Sequence, residues 1–196
     1  MDLCVVWMCG WLALAQSVSP ATYPWINELN PEDAICKRFP PPEGFVRDTP
    51  PPGSFGEWLQ GLPLRSGNPP VLLHTGKLKH RQDVHAAVVA MDVGKKDLQQ
   101  CADTIMRFRG EYFYSLGAIE RIRFLLCNGS DAPFSRWADG YRPHVQGDVI
   151  DWRKDAPPER THQALREYLN FVFTYASTLS LAKDAEPVEQ PVQLAI

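Results

Sequence analysis

Asp97-Leu98-Gln99-Gln100-Cys101 is the stretch of the chain richest in chemistry. Asp97 suits an N-cap, and Gln100 three residues on completes a variant of the capping box. This spacing predicts a helix from Asp97 with Cys101 in its first turn. The free backbone N–H groups and the helix dipole there favour a thiolate, the form of cysteine that attacks a carbonyl carbon. Cys101 is therefore the candidate nucleophile. The same residue lies three after Leu98 and four before Ile105, on an apolar stripe. Plain burial in the core is a competing reading, because free cysteine is among the most buried residue types. A disulfide is a third.

Other residues point less sharply. His74, His80, His85, His144 and His162 are scattered and read as surface or structural groups. No histidine pair has ligand spacing and no two cysteines of the mature chain stand close, so neither a metal nor a cofactor is expected. Phosphate-binding glycine loops, serine-hydrolase elbows and zinc motifs are missing from the sequence. Trp137, Tyr141 and Trp152 read either as ordinary packing or as an aromatic surface for glycan or peptide. Arg107 and Arg109 with Glu111 read as solvated helix pairs.

Several elements must position these groups. Asn30-Pro31-Glu32-Asp33 reads as a cap, a first-turn proline and an acidic first turn. Residues 39–53 carry six prolines and predict an extended surface arm. Ser54 caps a short helix, Phe55 to Leu59, that stops at Gly61 and Pro63. Pro69 to Lys79 reads as a strand with a glycine turn, and Val84 to Asp92 as a strand buried on both faces. The helix from Asp97 to about Tyr114 carries the stripe Leu98, Cys101, Ala102, Ile105, Met106, Tyr112 and Phe113. A strand follows at Glu120 to Cys127, ended by Asn128-Gly129, and then a short helix at Phe134 to Ala138. Tyr141 to Trp152 predicts a hairpin turning at Gly147-Asp148. One last helix is expected from about Pro158 to Ala182. The sum is an α+β fold, a mixed sheet packed on two long helices.

Composition bounds what such a fold could do. The 196 residues are 44% hydrophobic and 22% charged, with a formal charge of −3, which is globular and carries no basic field for nucleic acid. Leu3 to Ala15 is an apolar run of 13 ending in Ala13-Leu14-Ala15. That length suits a signal peptide cleaved after Ala15 and is too short to span a bilayer. Cleavage leaves Cys36, Cys101 and Cys127, an odd count that allows one disulfide at most. The organisation expected is a signal at 1–15, an N-terminal segment with its proline arm at 16–53, an α+β domain at 54–183 and a tail at 184–196. The chain is expected to be exported, to the periplasm or beyond, with no stable membrane span after cleavage. Partner classes that fit are a cell-envelope peptide or a glycan.

Five segments resemble one bacterial family, the domain of unknown function 4846: RFPPPEGFVR (38–47), SFGEWLQGLPL (54–64), AAVVAMDVGKKDLQQCADTIMRFRGEYFY (86–114), RWADGYR (136–142) and YLNFVFTYASTLSLAK (168–183). The likeness spans about residues 35 to 183. The resemblance implies a continuation past the end of this chain, a Gly-Asp strand and then a strand carrying Gly-His-Ala. That order, cysteine helix and then histidine strand, is similar to the plan of papain-like and NlpC-like peptidases, of which this chain would be the N-terminal part. On that reading the chain holds the nucleophile of an envelope amidase or peptidase but lacks its base, and is expected to be silent as it stands. His85 is a poor substitute base, because it lies near the start of its predicted strand, far from Cys101 at about 3.3 Å per residue. The alternative is a non-catalytic envelope module that binds through its proline arm and aromatic hairpin.

Overall fold

Local capping signals set the first elements. In a computed structural model that describes residues 22–185, the Asn30 side chain accepts the N–H of Glu32 and starts a 3₁₀ turn at Pro31–Asp33. The expected signal peptide, with its expected cleavage after Ala15, and the end of the tail lie outside the described residues. Helix α1 (Ile35–Arg38) follows, and then the proline arm, which is irregular and largely exposed. Ser54 accepts the N–H of Glu57 and opens α2 (Phe55–Gln60), with Gly61 as its C-cap. From α2, Trp58 enters an aromatic cluster with Tyr23, Trp25, Phe55, Phe108 and Tyr112.

The core lies between α3 (Cys101–Ser115) and α5 (His162–Tyr175). From α5, Leu165, Tyr168, Leu169 and Val172 are fully buried, one residue per turn or its neighbour, as the 3.6-residue period requires. The helices touch closely at Gly110, where an added Cβ would stand 3.4 Å from the Leu169 side chain. A two-stranded antiparallel sheet closes one end, β1 (Arg123–Leu125) with β2 (Asp131–Pro133), pairing Phe124 with Ala132. Helix α4 (Phe134–Ala138) follows. A hairpin of β3 (Tyr141–Gln146) and β4 (Val149–Lys154) turns at Gly147-Asp148, with Gly147 at φ 59°. Gly140 is also required as glycine: its φ is +94°, and a Cβ there would stand 2.1 Å from the Ala156 carbonyl oxygen.

The fold is α+β, with six helices and two small antiparallel sheets among the described residues. Four expectations need correction. The strand at Val84–Asp92 does not form; one bridge joins Leu64 to Val89, flanked by bonds from Arg65 N–H to Val88 and from Ala90 N–H to Pro63. Its partner segment contains Pro63, which has no N–H, so the ladder cannot grow. Pro69–Lys79 is likewise only a tight turn with a Leu72–Leu78 bridge. There the Gln82 side chain stands in for a neighbouring strand: its Oε1 accepts from the Val71 N–H at 2.9 Å, and its Nε2 donates to the carbonyls of Val71 at 3.0 Å and Lys79 at 2.6 Å. The strand expected at Glu120–Cys127 is confined to β1, because a 3₁₀ turn takes Ile119–Arg121 and Pro133 ends the pairing.

The fourth correction concerns the long helices. The final one is two helices, α5 and α6 (Thr178–Asp184). The chain breaks at Ala176-Ser177, where the Tyr175 carbonyl accepts the Cys127 N–H and Ser177 caps the next helix. A mixed sheet on two long helices is thus replaced by one α3–α5 pair flanked by small hairpins. No helix of the described residues is long and apolar enough to cross a membrane.

Candidate functional site

Helix α3 begins at Cys101, later than expected. Gln100 rather than Asp97 is its N-cap, and the Asp103 carboxylate reaches back to the Gln100 N–H at 3.0 Å. Asp97 lies in the turn before the helix. The buried face only partly matches the expected stripe: Ala102, Met106, Tyr112 and Phe113 are buried, whereas Ile105 is 53% exposed and Cys101 is exposed. Cys101 is thus not buried in the core, and it forms no disulfide among the described residues. Cys36 and Cys127 are free as well.

The Cys101 side chain lines a groove of about 580 Å³ together with His74, Asp97, Gln99 and Thr104. His74 Nδ1 is 3.6 Å from Asp97 Oδ1, in the half-exposed turn between Leu72 and Leu78. At that separation a hydrogen bond needs a small side-chain rotation. The groove runs on into an apolar bay of about 530 Å³ that shares Leu73, His74, Val93, Gln99 and Thr104 and adds Val89, Met91 and Phe108. Lys79 and Lys96 stand at its Cys101 end. His85 does not line the groove; its Nε2 faces the Pro69 carbonyl at 3.1 Å.

Behind the groove the structure overturns another expectation. Arg107 and Glu111 are not solvated: both are fully buried. Arg107 Nε donates to Glu111 Oε1 at 2.6 Å, and His162 Nε2 stands 2.9 Å from both oxygens of the same carboxylate. The guanidinium carbon lies 6.0 Å over the Trp25 ring. Its Nη1 donates to Gln99 Oε1 at 3.3 Å, and its Nη2 is 3.8 Å from Asp92 Oδ2 without a hydrogen bond. Asp92 in turn holds Arg166 at 2.7 Å. Arg109 alone of the expected surface pairs keeps a partly exposed partner, Asp184 at 3.2 Å.

The aromatic trio divides. Trp137 is buried, its ring against Tyr168 and Phe171. Tyr141 and Trp152 line a separate shallow groove, but Arg136 stands 5.6 Å over the Trp152 ring and covers that face. Among the described residues, no group of three or more His, Cys, Asp or Glu side chains could hold a metal ion.

Sequence reasoning singled out Cys101 and missed His74 and Gln99, which line the same groove, and His162, which holds Glu111 behind it. His74 approaches through a turn whose contact with residue 97 has no local signature. The Arg107–Glu111 spacing was visible, but its burial depends on Trp25 and on His162 of α5. No curated protein and no solved structure matches this chain. The family model described as domain of unknown function (4846) matches residues 35–195, nearly all of the described fold and part of the tail, and the chain belongs to that family.

Proposed function

We propose that this chain is an exported envelope protein that hydrolyses amide bonds of peptide or peptidoglycan with Cys101 as nucleophile. The observation that carries the reading is an exposed thiol at the first position of α3, opening onto a groove that also holds an imidazole backed by a carboxylate. In this reading Asp97 fixes the proton of His74 on Nδ1, which leaves Nε2 free to take the Cys101 proton. The thiolate adds to the amide carbonyl, His74 returns the proton to the leaving amine, and water then hydrolyses the thioester. Helix α3 plays the part of the nucleophile helix in a papain-like plan, and the base comes from the turn at His74 rather than from a strand past Ile196. Export rests on the apolar run and small-x-small end of residues 3–15.

The test uses p-nitrophenyl acetate, an activated ester that reports acyl transfer to thiols. The difference between the chain and its Cys101→Ala variant isolates this one thiol from Cys36 and Cys127. That difference is expected to be large, and His74→Ala is expected to shrink it by about 10²-fold, the usual share of a general base. Equal rates for the chain and Cys101→Ala overturn the reading and restore the expectation of a silent chain. A rate lost with Cys101 but indifferent to His74 moves the base elsewhere.

A further inference from the structure

Gln99 stands two residues before Cys101 and lines both sections of the groove. Its side-chain oxygen accepts from Arg107 Nη1 at 3.3 Å. Arginine has donors only, so the atom facing it is the amide oxygen, and the amide NH₂ must face away from Arg107. That NH₂ has no acceptor among the described residues. Arg107 cannot swing aside, because it is fully buried, tied to Glu111 and held over Trp25, and Glu111 is gripped in turn by His162. A flexible side chain at the groove surface is thus fixed from behind by a buried network.

A fixed, unspent N–H donor beside a nucleophile suits an oxygen that gains negative charge, since it needs no reorganisation when the charge appears. We infer, resting on the hydrolase reading above, that Gln99 is a catalytic residue that donates Nε2–H to the substrate carbonyl oxygen, and that Arg107 is the positioning residue that aims it. As the Cys101 Sγ–carbon bond forms, the carbonyl π pair moves onto oxygen, where Gln99 meets it. Collapse restores the carbonyl and breaks the bond to the leaving group, which departs with the proton that His74 took from the thiol. Water then releases the acid from the thioester.

Two probes separate this role from simple thiol reactivity. Acylation by p-nitrophenyl acetate passes through an oxyanion, whereas alkylation by iodoacetamide is a displacement at a saturated carbon and does not. Gln99→Ala and the near-isosteric Gln99→Glu are expected to slow Cys101-dependent acylation by about 10²-fold or more, with alkylation of Cys101 changed by less than about 2-fold. Arg107→Lys keeps the charge and loses the fork, and is expected to slow acylation by about 10-fold with alkylation again unchanged. Where Arg107→Lys does not fold, the two Gln99 variants decide. Acylation that survives Gln99→Ala while Cys101→Ala abolishes it overturns the inference and leaves the hydrolase reading standing. Equal loss of acylation and alkylation also overturns it, because the residue then supports the thiol and not the oxyanion. Acylation indifferent to Cys101→Ala removes the hydrolase reading and this inference together.

Discussion

The α3–α5 pair and the segment from 66 to 100 both bring apolar and polar groups side by side, and they do so in opposite ways. Between the helices, Arg107 and His162 both meet the buried Glu111 carboxylate, and the apolar residues of the α3–α5 contact are sealed. In the segment, Leu72, Leu73, Val84 and Val93 are 42%, 44%, 61% and 42% exposed, and the backbone is held by single bridges and side chains. The first region is built to resist change and the second to present a surface. The candidate site sits on the seam: Cys101 and Gln99 at the edge of the rigid half, His74 and Asp97 on the open half. A packed support behind and exposed loop walls in front are a common division of labour in binding sites.

The sharpest way to break that contrast is Glu111→Ala. It leaves Arg107 buried without its carboxylate, and urea unfolding is expected to show a loss of about 3–5 kcal/mol. A loss under 1 kcal/mol would mean that water reaches Arg107 and that the two regions are less different than their burial indicates. Next comes Leu169→Ala, which opens a cavity at the α3–α5 contact. Its expected loss is about 3 kcal/mol, within the range for buried leucine truncation; a result near zero would contradict the close packing at Gly110.

Alkaline pH gives a smaller, graded effect. Burial holds the phenol of Tyr168 well above its ordinary value of 10.0, and the same cause raises Tyr23. The folded state keeps these phenols neutral, so their contribution is complete below pH 10. It is lost as pH rises past 10 toward the folded value, because only the unfolded chain releases the proton. Each group should cost about 1.4 kcal/mol per pH unit in that window. Tyr168→Phe removes the most deeply buried of these phenols, so its stability should fall less steeply between pH 10 and 11 than that of the parent; equal slopes would refute the assignment. The smallest effect is expected on the open side. Leu73→Ser should change stability by no more than about 0.5 kcal/mol, and a loss beyond 2 kcal/mol would make that wall part of the core.

The same contrast explains what could be read from the residues. Helix α2, helix α4 and the β3–β4 hairpin depend on signals within a few positions, such as Ser54 as cap and Gly147 in the turn, and these were legible. The strand expected at Val84–Asp92 failed because its fate lies with Pro63, a residue it meets only in three dimensions. Helix α5 ends without proline or glycine; the Cys127 N–H, from a distant turn, takes the Tyr175 carbonyl. At the site, Cys101 at the head of a helix was legible. The burial of Arg107 was not, because it depends on Trp25 and His162, which reach the Arg107–Glu111 pair only in three dimensions.

The Gln82 staple sets how the open wall breathes. A strand pinned by a ladder exchanges its amide protons only when several bonds unzip together. Val71 is pinned on its N–H by one glutamine oxygen, and that side chain can let go by rotating about its own bonds. Amide exchange at Val71 therefore follows a local opening and stays indifferent to mutations that weaken the α3–α5 pair, while exchange at Leu169 tracks global unfolding. On the hydrolase proposal, this would let the groove wall yield to a bulky substrate without disturbing the buried Arg107–Glu111 network behind Gln99.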